Sequence, residues 1–333
     1  MDNLFSDALG QLLADQCTPE VVRAIEAQPQ ADHPLWRALQ ASGFADALVP
    51  EAQGGAGLTL AQAYPLAELC GQHALPFPFA ETLLGRAGLA LAGLPAPAGA
   101  LVLAQARADR DGVRTGGVRG ARLAQAALVA CDQQLRLLPL AEAELEPDVF
   151  ALDARLHWPR AAWDSAPRLD GLGDLRLAQA ALYAGLMAGA LLHVFNRTLQ
   201  YANDRQQFGK PIGKFQAIQH QLSVMSEHVF AARMSAQLAF TASGLQWGTL
   251  RTAIAKARTS EAALEVAALS HSIHGAIGFT AEYDLQLYTR RLNLWRQTAG
   301  AESHWHDQVG AATLAQPGLS LDVIRQATDL APA

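Results

Sequence analysis

The sequence predicts a mainly α-helical protein with one small β domain set between two helical parts. Three observations carry this reading. Apolar residues recur at three- and four-residue spacing through residues 1–95 and again from about 172 to 315. Between these stretches, residues 97–168 break into short apolar runs, LVLA, ALVAC, LRLLPL and VFALD, separated by polar or glycine-rich links such as RTGGVRG. Few prolines or glycines interrupt 174–202, 215–242 and 249–274, so the last half of the chain reads as long helices on short connections, a four-helix bundle. The domains that follow are a helical domain at 1–95, a reduced middle β domain at 96–170 and a helical bundle at 171–333.

Each element has its own signal. The N-terminal stretch MDNLFSDALGQLLADQ carries no positive region ahead of an apolar core and reads as an amphipathic helix, not a signal peptide. A turn cluster at Pro50-Glu51-Ala52-Gln53-Gly54-Gly55 and a break at Pro76-Phe77-Pro78 divide the first helical part. The β region is compact, with room for about five to seven strands of ordinary length. The most apolar stretch, AQAALYAGLMAGALLHVF at 178–195, is rich in Ala and Gly and includes Gln179, Tyr183 and His193. It reads as a buried helix, not a membrane span.

Composition removes several function classes. The 333 residues are 50% hydrophobic and 17% charged, a globular balance with enough length for two or three packed units. The net charge of −6 comes without any cluster of Lys and Arg, which argues against nucleic-acid binding. A few placed arginines still suffice for a phosphate-bearing ligand. Cys17, Cys70 and Cys131 are far apart and show no CxxC spacing, which argues against disulfides and a zinc site and suits the cytoplasm. His304 and His306 stand two residues apart in a helical pattern and so point away from each other, and no metal site is expected.

Two segments carry chemistry. The first, Arg205-Gln206-Gln207-Phe208-Gly209-Lys210-Pro211-Ile212-Gly213-Lys214-Phe215-Gln216, lies between two long helices. Such a loop can offer a guanidinium and backbone N–H groups to a phosphate, or can be a simple interhelical turn with solvated charges. The second, His274-Gly275-Ala276-Ile277-Gly278-Phe279-Thr280, allows close backbone approach to a ligand, and reads equally as a helix C-cap and turn.

In this order, and about 60 residues apart, the two segments resemble the C-terminal domain of acyl-CoA dehydrogenases. RQQFGKPIGKFQAIQHQLSVM is similar to that family's R-x-x-FG-x-PI-x-x-FQ stretch, and HGAIGFTAEYDLQLYTRRLNLW to its HGG-x-G-x-T segment and following helix. LWRALQASGFADALVPEAQGGAGLTLAQA resembles its N-terminal (V/I)PE-x-x-GG-x-G pattern. The resemblance implies an acyl-CoA dehydrogenase-like fold, FAD as cofactor and an acyl-CoA substrate, with the C-terminal segments reaching across a subunit interface to FAD. It places Arg205 on the pyrophosphate and Phe208 near the adenine, with Gln207, Gly209, Ser272, His274, Gly275 and Ala276 around them. Ser272 stands where relatives often have Gln, and Gly275-Ala276 where they have Gly-Gly.

Two departures stand out. The family's catalytic base, a carboxylate within reach of the substrate α-carbon, is usually a Glu that aligns here with Ala299. The alternative position in some relatives falls on Gln179, so both usual places are empty; Glu302 is the substitute candidate. Nothing in 97–168 resembles the family's (C/V)-x-(T/S)-E-P-x-A-G-S-D stretch, which hydrogen-bonds the flavin ring. Together these resemble the short subunits of heteromeric bacterial acyl-CoA dehydrogenases of steroid or other bulky acyl-CoA degradation. The partners implied are a longer dehydrogenase subunit and an electron-transfer flavoprotein or similar acceptor, with no membrane or nucleic acid. The alternatives are a homo-oligomeric enzyme with a relocated base and a flavin-free scaffold of the same fold.

Overall fold

The structure, a computed structural model, describes residues 4–242 and 244–329. The N-terminal part folds as α1 (Leu4–Gln16), α2 (Pro19–Ala27), α3 (Pro34–Ala41), α4 (Leu60–Gln72) and α5 (Phe79–Leu91). The starts of α2 and α3 follow from local chemistry. Thr18 Oγ1 and His33 Nδ1 accept from Val21 N and Leu35 N, and Pro19 and Pro34 take the first helical positions, where no N–H is needed.

The middle of the chain is a seven-stranded sheet: β1 (Ala100–Ala108), β2 (Gly112–Val118), β3 (Ala124–Cys131), β4 (Gln134–Pro139), β5 (Glu144–Pro147), β6 (Ala154–Pro159) and β7 (Arg168–Leu169), with the short α6 (Arg160–Ser165) before β7. The strand order is β5-β6-β2-β1-β3-β4-β7. Short strands are what the sequence predicts, but the pairing is mixed: β1 and β3 run parallel, and the other pairs are antiparallel. β1 changes partner along its length. Ala100–Gln105 pair with β3 and Ala106–Ala108 with β2, without a break in the strand. One face of the sheet buries Val102, Val113, Val129, Leu138, Leu156 and Trp158.

The C-terminal part comprises α7 (Leu175–Asp204), a minimal hairpin of β8 (Gln206–Gln207) and β9 (Lys210–Pro211), α8 (Gln216–Ala239), α9 (Thr249–His274), α10 (Leu285–Trp295), α11 (Glu302–Ala315) and α12 (Ser320–Thr328). The element class changes between Leu91 and Ala100 and between Leu169 and Leu175. Contacts gather the chain into two compact units: Met1–Leu66 with Leu75–Gln179 and Ser243–Gln246, and Ala67–Ala74 with Ala180–Ala242 and Trp247–Ala333.

In the second unit α8 buries Leu222, Met225, Val229, Ala232, Ala236 and Ala239, an unbroken three-four repeat that turns one face to the core. The end of α4 packs backbone to backbone on α7. A methyl group on Gly71 would lie 1.8 Å from Leu186 O, and one on Gly189 1.8 Å from Glu68 O, so these two positions admit only glycine. By length and composition α7 could cross a membrane, but 78% of its most apolar window is buried inside the protein, as the sequence reading expects of a core helix.

Candidate functional site

The hairpin after α7 is closed by Phe208 and Gly209, both with positive φ, 51° and 76°, while Gln207 pairs with Lys210 across it. This is the requirement of a two-residue type I′ turn, for which Asn-Gly is the unstrained choice. A phenylalanine in the left-handed region is uncommon, and this one is 91% exposed, with only an edge contact to Phe215 at 6.2 Å. Arg205 is tied in by its backbone: its N–H donates to Tyr201 O at 2.9 Å, and its carbonyl accepts from Ile212 N at 2.8 Å. Its guanidinium is exposed and has no hydrogen bond or ion pair with any described residue. Lys210 Nζ lies 4.4 Å over the Phe215 ring. The local fold therefore presents an unpaired guanidinium and a bare aromatic ring, and neither is used within the described chain.

In the same unit, the last turns of α9 line a cleft of about 550 Å³ with Leu264, Ala267, Ala268, His271, Ser272, Phe279 and Asn293. Ser272 is exposed on it. Gly275 takes the positive-φ position, 64°, that ends α9. Ala276 lies in the following 3-10 turn with negative φ, so the Gly-to-Ala change at this place is unstrained.

His274 behaves differently. It is 4% exposed, its Nδ1 pairs with Ser270 O at 2.8 Å and its Nε2 with Tyr283 OH at 3.2 Å, and its ring stacks on Tyr201 at 4.3 Å. Its side chain is spent inside the bundle. His271, one turn earlier, lines the cleft instead; its Nε2 pairs with Thr289 Oγ1 at 3.0 Å and its ring stacks on the 70% exposed Phe279 at 4.2 Å. His271 was open to sequence reasoning, because Leu264, Ala267, Ala268 and His271 form one three-four stripe along α9.

Neither usual base position offers a carboxylate. Ala299, φ 60°, lies in the α10–α11 loop. Gln179 is 6% exposed, and its amide donates to Leu103 O at 3.0 Å and to Glu81 Oε1 at 3.3 Å, while Glu81 Oε2 accepts from Leu103 N at 3.0 Å. Thr82 Oγ1 likewise accepts from Leu101 N at 2.9 Å and lies 3.2 Å from Leu101 O. This half of β1 has a strand on one side only, and side chains of α5 and α7 satisfy its other edge. Gln179 is thus a structural donor, and a glutamate there would meet both a carboxylate and a carbonyl. Glu302, at the start of α11, accepts at Oε1 from the Arg296 guanidinium at 2.6 Å. Burial pushes the Glu302 carboxyl up, but its own backbone N–H and the Arg296 guanidinium outweigh this and hold it below the usual carboxylate range.

Among the described residues no group of three or more His, Cys, Asp or Glu could hold a metal, and the three cysteines are buried and outside any disulfide.

Residues 169–314 match the acyl-CoA dehydrogenase C-terminal domain. Acyl-CoA dehydrogenase IpdE2 of Mycobacterium tuberculosis is 30% identical over 300 residues, covering 86% of this chain and 89% of that protein. The chain belongs to the acyl-CoA dehydrogenase family. Its fold is that of solved acyl-CoA dehydrogenases. The ChsE4-ChsE5 complex from Mycobacterium tuberculosis superposes with a TM-score of 0.82 at 21% identity, covering 95% of this chain and 98% of that one. A Tcur3481-Tcur3483 steroid acyl-CoA dehydrogenase variant gives 0.78 at 25% identity, covering 95% and 99%. The family's cofactor is FAD, and its reaction class is acyl-CoA oxidoreduction.

Toward that cofactor, the unpaired Arg205 guanidinium, the exposed Phe208 ring and the Ser272 cleft have the chemistry of a pyrophosphate and adenosine contact. β1 runs without a break from its β3 pairing into its β2 pairing, and only Asp109-Arg110-Asp111 join it to β2, closed by Asp109 Oδ1 accepting from Asp111 N and Gly112 N.

Proposed function

We propose that this chain is the non-catalytic subunit of a heteromeric acyl-CoA dehydrogenase, cytoplasmic, completing the FAD site of a longer partner that carries the catalytic Glu. Bound FAD supplies the hydride acceptor for α,β-dehydrogenation of the acyl-CoA. This chain's share is binding: Arg205 takes the pyrophosphate charge, Phe208 covers the adenine, Gln207 and Gly209 shape the hairpin, and Ser272, Gly275 and Ala276 form the second contact, with His274 holding that segment from inside.

The observation that carries this reading is the pairing of an exposed, unused Arg205–Phe208 hairpin with two base positions that hold Ala299 and Gln179. Proton abstraction needs a group able to accept the proton, and neither a methyl nor a hydrogen-bonded amide provides one. Glu302 is a poor substitute, since a carboxylate held ionised by Arg296 has little basicity to spare. The solved ChsE4-ChsE5 structure is of a complex, which supports a hetero-oligomer, and the Tcur3481-Tcur3483 steroid acyl-CoA dehydrogenase supports a bulky acyl group. Electron-transfer flavoprotein or a similar carrier is the proposed acceptor.

Expression alone and with a longer dehydrogenase subunit tests this. Alone, the purified chain should carry sub-stoichiometric flavin and show no turnover; together they should bind flavin fully and oxidise acyl-CoA. A flavin-replete, active homo-oligomer would overturn the proposal.

A further inference from the structure

The hairpin after α7 and the turn that ends α9 are far apart in sequence, and one side chain links them. Tyr201, in the last turn of α7, accepts the Arg205 backbone N–H at its own carbonyl, at 2.9 Å, the final helical bond before the hairpin. Its hydroxyl reaches the other way and donates to His274 O at 3.4 Å. That carbonyl belongs to the set a helix leaves unpaired at its C-terminal end, and the next residue is Gly275, whose φ of 64° ends α9. The Tyr201 ring also stacks on the His274 ring, with centroids 4.3 Å apart and 25° between the planes.

A second layer holds this stack in place. His274 Nδ1 donates to Ser270 O at 2.8 Å, which in the neutral ring leaves Nε2 to accept from Tyr283 OH at 3.2 Å. Tyr283 meets Tyr201 edge to face at 6.3 Å. The Arg197 guanidinium lies 4.9 Å over the Tyr283 ring and pairs with Asp284 at 3.4 Å. Arg197 and Tyr201 stand one turn apart on the same face of α7, so that face grips the segment after α9 at two successive positions.

We propose that Tyr201 is a positioning residue: it fixes the spacing between the Arg205–Phe208 hairpin and the Gly275–Ala276 turn, so that one cofactor is held by both at once. This inference rests on the reading that both segments contact FAD. A ligand that bridges two segments binds more weakly when they drift, because binding must then order them. Contacts that hold both segments beforehand remove that cost. The hairpin has little packing of its own, since the Phe208 ring is 91% exposed and the Arg205 side chain is exposed, so its place depends on how the end of α7 is held. Tyr201 and His274 supply that hold from the inside, where His274 is buried and Tyr201 half-buried.

Two measurements test this. The first needs no cofactor. Spin labels on Lys210→Cys and Ile277→Cys, both exposed, report the distance between hairpin and turn in the full chain alone, and the three native cysteines are buried. The distance distribution should be narrow with Tyr201 present, change little in Tyr201→Phe, which keeps the stack, and widen in Tyr201→Leu. His274→Leu removes the stack from the other side, should widen it likewise, and keeps the test open if Tyr201→Leu does not fold. The second follows FAD release from the assembled complex for Tyr201→Leu, Arg205→Ala and the double variant. Tyr201→Leu should speed release by about 2- to 10-fold, the worth of an aromatic pair. The double variant should fall short of the product of the two single effects, because a brace acts through the residue it places. A stack that only stabilised the fold would lower the melting temperature and leave the two effects to multiply. Distances that stay narrow in both leucine variants, or effects on FAD release that multiply, would overturn the proposal. Unchanged FAD release in Arg205→Ala would instead overturn the cofactor reading, while the distances still decide whether the stack sets the spacing.

Discussion

Among single residues, side chains of similar sequence character divide by what already satisfies them. Arg205 and Arg296 are both basic residues at helix ends, yet Arg296 is spent on Glu302 while Arg205 has no partner among the described residues. A charge-assisted contact from Arg205 to a pyrophosphate is worth about 1.5–3 kcal/mol, so Arg205→Ala should weaken FAD retention in the assembled complex by about 10- to 150-fold. Arg205→Lys should recover part of this, because an ammonium lacks the planar fork. Side-by-side flavin dissociation measurements check both, and an unchanged affinity would make Arg205 a solvated turn residue. Gln179→Glu should cost about 1–3 kcal/mol in chemical denaturation, because Leu103 O loses its donor and a second carboxylate faces Glu81. One component of the pH dependence of stability also belongs to a single residue. Lys256 is depressed from 10.5 to about 7 in the folded chain. The unfolded chain therefore binds more protons between those values, and the Lys256 contribution to stability rises with pH across that window. It is fully present above 10.5 and lost as pH falls through about 7. Lys256→Met should flatten this slope in denaturation curves taken across the same window. An identical slope would assign it to other groups.

Among the elements, the β8–β9 hairpin and β1 are the informative pieces. The hairpin places Phe208 in the left-handed region at a cost of about 1–3 kcal/mol, with little packing to offset it. Phe208→Asn should leave the chain as stable or more stable, since Asn-Gly suits this turn, while lowering FAD retention in the complex. Thermal melts and flavin release measured on the same samples separate the two effects; lost stability without lost flavin would refute the assignment. β1, in turn, is one strand performing two pairings, and its open edge is closed by Glu81, Thr82 and Gln179.

For the molecule as a whole, the subunit reading takes the catalytic base and the flavin cradle as two separate losses, one in the α10–α11 loop and one in the sheet. Restoring either alone should therefore not restore catalysis. Ala299→Glu in the isolated chain should give no acyl-CoA oxidation even with FAD added in excess. Turnover by that single variant would mean that the chain can still position a flavin of its own, and the subunit reading would have to be withdrawn.

Local pattern was enough for much of the architecture. The sequence located α7, α8 and α9 to within a few residues, because no proline interrupts these stretches and apolar residues recur every three or four positions, on one buried face in α8 and on most sides in α7 and α9. The runs LVLA, ALVAC and LRLLPL became strands, whereas VFALD at 149–153 became the turn between β5 and β6, and the spacing of RQQFG and HGAIG identified the family, since these are local signals too. Features that depend on partners distant in sequence emerged only in the folded chain. The parallel β1–β3 pair needs β2 to fold out to the far side of β1, which no local pattern encodes. His274 turned inward because Tyr201 and Tyr283 meet it there, which left the cleft to His271. Lys256 reads as an ordinary surface lysine until the carbonyls of Arg296 and Gly300, 40 and 44 residues away, close over it. Burial and hydrogen-bond satisfaction are properties of the assembled contacts, and for these residues they outweigh residue type.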